Sequence, residues 1–229
     1  MLQKVVLFWF RRDLRLDDNA GLFHALSSGL PVVPVFIFDS EILRQLEDSD
    51  DKRVSFIYMA LQHLQAQLIK LGSTLDVRYG KPLEVFTQLI SEYSIHAVFT
   101  NHDYEPYATS RDKTIEQLLQ SNSISFQTFK DTVIFEKEEV VKENGTGYMV
   151  YTPYAKRWKA SLKEESFSVY ETQKLSRQFY QQSPLPVPSL KEIGFQSNPA
   201  IPSVKNADES IIMHYDKTRD IPSLQGTTR

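Results

Sequence analysis

The sequence predicts an α/β fold: a Rossmann-like open parallel sheet with helices on both faces, then an extended linker and the short helical start of a second domain. Three observations predict it. Short continuous apolar runs alternate with amphipathic stretches over the first 160 residues or so, as parallel strands buried on both faces alternate with their crossover helices. Turn and cap residues fall between the runs. The alternation ends near Leu162, where the chain becomes polar and proline-punctuated.

Lys4 to Phe10 (KVVLFWF) reads as the first strand, and Asp18 or Asn19 caps a helix from Ala20 to Ser28 that ends at Gly29. Pro31 to Asp39 (PVVPVFIFD) is the second buried strand. A long helix is expected from about Asp51 to Leu71, with Phe56, Met59, Ala60, His63, Leu64, Gln67, Leu68 and Leu71 near helical spacing and Gly72 as its stop. A strand from Leu75 to Tyr79 and a helix opened by Pro82 follow. The last repeats are a strand at His96 to Thr100, a helix from Pro106 to about Gln120, and a strand at Ser125 to Phe129. Residues 163–203, with SPLPVPSL and SNPAIPS, read as extended, semi-rigid chain outside the core. A short amphipathic helix is expected from Ala207 to Asp216. The domain division is therefore 1–162, 163–203 and 204–229.

Composition removes several function classes. With 26 Lys+Arg against 29 Asp+Glu, the net charge of -3 offers no basic excess for stand-alone nucleic-acid binding. Cysteine is absent, which removes disulfides, thiolate metal sites and cysteine nucleophiles and fits a reducing compartment, taken here as the cytoplasm. Val5 to Phe10 is too short to span a bilayer, so no membrane role is expected. His24, His63, His96, His102 and His214 lack ligand spacing, so no metal is expected, and His102 reads as a surface or capping group. Gly145-Thr146-Gly147 lacks the third glycine of a dinucleotide fingerprint, Val150 standing there instead, and reads as a turn between short strands. Ligands of parallel sheets bind at the carboxyl ends of the strands, where strand order switches. The loops after Phe10, Asp39, Tyr79 and Thr100 are thus the places to look.

Five segments, in order, resemble the DNA photolyase and cryptochrome family. They are FWFRRDLRLDDN (Phe8 to Asn19), PVVPVFIFDSEIL (Pro31 to Leu43), TNHDYEPYATSRD (Thr100 to Asp112), VYTPYAKRWK (Val150 to Lys159) and the pattern from Tyr215 through Arg219, Asp220, Pro222 and Gly226 to Thr227-Thr228-Arg229. Each segment also has a structural reading. Arg11, Arg12, Asp13 and Arg15 form a salt-bridged loop past a buried strand, Asp17 to Asn19 cap a helix, and Tyr154 and Trp158 pack in the core or between domains.

The resemblance implies an N-terminal α/β antenna domain, a linker, and the first residues of a helical FAD-binding domain. It implies the light-driven repair of pyrimidine dimers in DNA by the whole protein, a monomeric lyase acting through FAD. A blue-light receptor of the cryptochrome type is the alternative, and a plain nucleotide-binding module outside the family is a third reading, against which the missing glycine-rich loop speaks. By resemblance Tyr215, Thr227 and Thr228 contact FAD, and Arg219 faces DNA. Phe36, Phe38, Asp39, Arg53, Asp103 and Glu105 line an antenna site of deazaflavin or flavin type. Capping of the following helices is the competing role for Asp39, Asp103 and Glu105. A folate antenna is not expected, because Tyr107 and Ala108 stand where folate-binding members carry an Asn-Glu pair. No catalytic residue is assigned within 1–229. Since the sequence stops inside the flavin motif, the 229-residue chain is expected neither to retain FAD nor to repair DNA.

Overall fold

The structure is a computed structural model that describes residues 3–163, 168–199, 209–221 and 223–224. Strands β1 (Lys4–Phe10), β2 (Val32–Asp39), β3 (Asp76–Gly80), β4 (Ser94–Asn101) and β5 (Ser125–Phe129) form one sheet in the order β3-β2-β1-β4-β5. Every adjacent pair is parallel. The chain builds outward from β1 to β3, returns, and builds outward again from β4. Strand order therefore reverses between β1 and β4.

Period-two alternation along β1 feeds two cores. Val6, Phe8 and Phe10 pack with Leu22 and Leu26 of α1 (Ala20–Leu26). Leu61, Leu64 and Leu68 of α3 (Lys52–Lys70) join that face, one helical stripe at spacings of three and four. Val5, Leu7 and Trp9 pack on the other face with Val85, Phe86 and Leu89 of α4 (Pro82–Glu92) and Ile115 and Leu119 of α5 (Pro106–Ser121). Both faces are covered, which is why the strands read as unbroken apolar runs. Between β2 and α3 lies a short helix, α2 (Ser40–Leu43), that the sequence reading does not anticipate. Asp39 starts it by accepting a bond from the Glu41 amide at 3.0 Å.

Four expectations need correction. Residues 163–203 were expected to stay outside the core, yet the described part lies against the domain and completes one core face. A 3-10 helix (Thr172–Gln178) leads into Phe179, which is 3% exposed and bridges Val32. The Tyr180 amide donates to the Val32 carbonyl at 2.8 Å, and the Leu185 amide to Thr74 Oγ1 at 3.0 Å. Ile193 and Phe195 are buried in the same cluster as Phe179. The prolines do keep the segment extended, but three well-spaced apolar side chains decide its placement, and average composition hides them. Second, Tyr154 and Trp158 are not core. They sit on α6 (Tyr151–Ser161), which buries no residue, and Trp158 meets Phe135 edge-on at 5.6 Å between ring centroids. Third, the Gly145 region is a turn closed by Lys142 N to Thr146 O at 2.9 Å, but no strands flank it. The terminal helix expected at Ala207 to Asp216 is two short ones, α7 (Glu209–Met213) and α8 (Tyr215–Thr218), with the break at His214; residues 207–208 lie outside the described residues. No helix among the described residues is long and apolar enough to cross a membrane.

Docking of the proline-rich segment makes a direct prediction. Phe179→Ala is expected to cost about 3–5 kcal/mol, the range for truncating a buried aromatic, measured as a lower urea midpoint of the whole chain. A loss below about 1 kcal/mol would mean that the segment is not part of the core.

Candidate functional site

The site begins where β1 runs out of sheet. Beyond Phe10 the chain must turn back into α1, and three side chains meet the first amides of that helix, which have no partners within it. Asp131 Oδ1 accepts from Ala20 N at 2.9 Å, Asn101 Oδ1 from Gly21 N at 2.8 Å, and Asn19 Oδ1 from Leu22 N at 3.0 Å. Asn19, not Asp18, is thus the cap. Asp13, Asn19 and Asn101 are all buried and bond one another: the Asn101 amide donates to Asp13 Oδ2 at 2.5 Å and to Asn19 Oδ1 at 2.9 Å, and the Asn19 amide donates to Asp13 Oδ2 at 3.1 Å. Gly21 permits the contact, because a Cβ there would lie 2.7 Å from Asn101 Oδ1 and 2.9 Å from the Phe8 ring.

This knot fixes the arginines on either side. Arg11 Nη1 reaches Asp112 at 2.6 Å, and the same guanidinium donates to the Asn101 carbonyl. Arg15 binds Asp131 at 2.8 Å. Arg12 turns the other way, with Nη2 2.5 Å from Glu105 and Nε 3.7 Å from Asp103. The salt-bridged loop expected here forms through Arg11, Arg12 and Arg15, whereas Asp13 is held by hydrogen bonds from Asn19, Asn101 and the Arg11 amide. Neither Asp103 nor Glu105 caps α5: Glu105 occupies the cap position but its side chain makes no capping bond.

A cleft of about 400 Å3 opens over the carboxyl ends of β1, β2 and β4. Phe36, Phe38, Asp39, Arg53, Asp103 and Glu105 all line it, so the structure brings together the six residues assigned to one site from separate segments. The loop after β3 takes no part. The floor is apolar, with Phe36 and Phe38 edge to face at 5.1 Å and Leu43, Val54 and Ile57 beside them. Arg53 is 72% exposed at the rim and held to its own helix cap, Asp51, at 2.6 Å.

Residues that the sequence reading did not assign to the site make up its inner wall. Trp9 is 2% exposed, with the Arg111 guanidinium 4.8 Å and that of Arg11 5.1 Å from its ring centroid. Tyr107 donates its hydroxyl to Asp39 Oδ2 at 2.7 Å. Burial, together with that carboxylate, pushes the Tyr107 hydroxyl well above its ordinary value, so it remains a donor. Arg111 lies 5.8 Å from the Tyr107 ring and 3.8 Å from Asp39, and it bonds Asp112 at 2.9 Å. The spacing of four between Tyr107 and Arg111 on α5, one helical turn, was the available signal. Asp39 both caps α2 and lines the cleft, so its two expected roles coexist.

The other assigned residues are elsewhere. Tyr215 is half exposed on α8, and Arg219 sits just past α8, 3.7 Å from Asp220. Thr227 and Thr228 lie outside the described residues. His102 bonds Glu136 at 2.8 Å and Thr128 at 3.0 Å, a structural tie beside the cleft. No cluster of metal-ligating side chains occurs among the described residues.

Breaking the knot should be costly. Asn101→Ala removes one of the donors to the buried Asp13 carboxylate and leaves the Gly21 amide without its acceptor, and is expected to cost roughly 1–3 kcal/mol. Thermal unfolding checks it, and a change under 1 kcal/mol would show that the knot is dispensable.

Comparison with known proteins agrees with this architecture. Deoxyribodipyrimidine photo-lyase from a Synechococcus strain is 31% identical over 238 residues, covering 97% of this chain and 49% of that protein. The crystal structure of an archaeal photolyase from Sulfolobus tokodaii, described with two FAD molecules and the implication of a novel light-harvesting cofactor, is 35% identical, with a TM-score of 0.53 over 60% of this chain and 32% of that one. A bacterial class III photolyase from Agrobacterium tumefaciens is 25% identical, with a TM-score of 0.70 over 87% of this chain and 40% of that one. The chain spans about half the length of the curated photolyases that it matches. The sequence profile described as DNA photolyase matches residues 6–174, nearly all of the α/β sheet and its helices up to the start of the docked segment, and the chain belongs to that family.

Proposed function

We propose that this chain is the N-terminal part of a deoxyribodipyrimidine photolyase, a light-driven, FAD-dependent lyase that splits pyrimidine dimers in DNA. Its own task is to hold an antenna chromophore of flavin or deazaflavin type in the cleft over β1, β2 and β4. The observation that carries this reading is the convergence of the six assigned residues on one apolar cleft at the switch in strand order.

The lining fits a planar heteroaromatic ring. Phe36, Phe38 and Tyr107 offer aromatic surface, and Trp9 lies behind the Arg11 and Arg111 guanidiniums in the wall. Charge narrows the ligand class. Four arginines line the cleft with three carboxylates, and each arginine already holds a carboxylate within the chain. A largely neutral ring with hydroxyls suits such a site better than a polyanion. Ala108 is buried and has no polar side-chain group for a pterin, and the Tyr107 hydroxyl is committed to Asp39, which disfavours folate. When bound, the chromophore supplies light absorption and passes its excitation to FAD. The chain's residues hold the ring, exclude water from its faces and fix its orientation. Rigid walls matter because excitation transfer depends on orientation.

In this reading residues 1–162 form the antenna domain and 163–203 a connecting segment, docked in its described part. Residues 204–229 open the helical FAD-binding domain, in which Tyr215, Thr227 and Thr228 contact FAD and Arg219 faces DNA. Damaged DNA is the partner of the whole protein. The reading also takes the protein as a cytoplasmic monomer, and light scattering of the purified chain checks the second point.

Titration of the 229-residue protein with riboflavin and with 5-deazariboflavin tests the site. Saturable binding is expected for at least one of them, weakened about tenfold or more by Asp39→Ala, a loss of about 1.4 kcal/mol or more. Methenyl-folate is expected not to bind. Folate binding in place of both flavins would refute the proposal.

A further inference from the structure

Trp9 sets a problem for any excited flavin held in this cleft. Indole is among the most easily oxidised side chains, and an excited flavin is a strong one-electron oxidant. One electron would leave the indole for the excited chromophore and then return, and the excitation would be lost as heat. A tryptophan in the wall of an antenna site therefore works against the site.

The structure surrounds this tryptophan in an unusual way. Two guanidiniums lie over the same indole, Arg111 at 4.8 Å and Arg11 at 5.1 Å from the ring centroid. Both are nearly buried; Asp112 holds the two of them, at 2.6 Å from Arg11 and 2.9 Å from Arg111, and Asp39 lies 3.8 Å from Arg111. The cations are the ends of these ion pairs that face the indole. A positive charge against the ring stabilises the neutral indole through its electron-rich face and destabilises the indole radical cation. Burial strengthens both effects, since little water screens the pair.

We propose that Arg11 and Arg111 are positioning residues that act through Trp9: they hold the indole in a form too hard to oxidise to quench a chromophore in the cleft. The inference rests on the chromophore reading above and deepens it. It gives a function to two nearly buried arginines that already hold Asp112. It also explains the use of arginine at 111, since a planar, permanently charged group can lie over the indole and bond Asp112 at once.

The test uses riboflavin as probe and the emission lifetime of the bound fraction as readout, with emission anisotropy reporting binding separately. Arg111→Gln is expected to shorten the bound lifetime several-fold. Arg111→Lys, which keeps the cation but not the planar group, is expected to retain a lifetime longer than that of Arg111→Gln and no longer than that of the parent protein. In the double variant W9F/R111Q the long lifetime is expected to return. Arg11→Gln, with the same direction of effect, serves if R111Q fails to fold. An unchanged lifetime in both glutamine variants would overturn the proposal. So would a shortening that survives in W9F/R111Q and disappears in Y107F/R111Q, which would make Tyr107 the quencher. An anisotropy that stays at the free-riboflavin value in every protein, the parent included, would remove the chromophore reading itself and this inference with it.

Discussion

The buried knot of Asp13, Asn19 and Asn101 is the constraint on which the rest of this structure depends. It joins three backbone ends that a parallel sheet leaves in the same place: the exit of β1, the entry of α1 and the exit of β4. Three polar side chains withdrawn from water are stable only because each satisfies another or a helix amide. The same geometry sets the directions of Arg11 and Arg12. One turns inward over Trp9 and the other outward to Asp103 and Glu105. The inner wall and the rim of the cleft are thus consequences of how the β1 exit is tied down.

The cleft then follows from strand order. Because the chain goes from β1 to β2 on one side and to β4 on the other, the loops beyond β1 and β4 diverge and leave a crevice above the sheet. Phe36 and Phe38 at the end of β2 floor one half, and the first turns of α5 supply Tyr107 and Arg111 to the other. The Tyr107–Asp39 bond spans the two halves. Most lining groups come from strands and helices, which suits the proposed role of holding a ring in a fixed orientation.

Much of the fold was legible in the sequence, for physical reasons. A strand buried on both faces must be apolar throughout, so KVVLFWF and PVVPVFIFD announce themselves. Gly29 and Gly72 stop helices, and Pro82 and Pro106 start them. The four-residue helix after Asp39 was invisible, because one turn has no period. The placement of Phe179, Ile193 and Phe195 was hidden for a different reason: three core residues among prolines and polar residues do not change the average. At the cleft, Phe36, Phe38, Asp39, Arg53, Asp103 and Glu105, named from separate parts of the sequence, line one cavity. Trp9, Arg11 and Arg111 were read as structural or passed over, because a tryptophan at the end of a buried strand looks like core packing until the cations above it are seen. What could not be read at all was the pairing of Tyr107 with Asp39, a contact across 68 residues of chain.

The central claim is that the cleft over β1, β2 and β4 is a chromophore site. A crystal structure of the 229-residue protein grown with riboflavin tests it most directly. The tricyclic ring is expected inside the cleft, against Phe36 and Phe38, with Trp9 beneath Arg11 and Arg111 in the adjoining wall. A ring bound elsewhere on the domain, with the cleft empty, would contradict it.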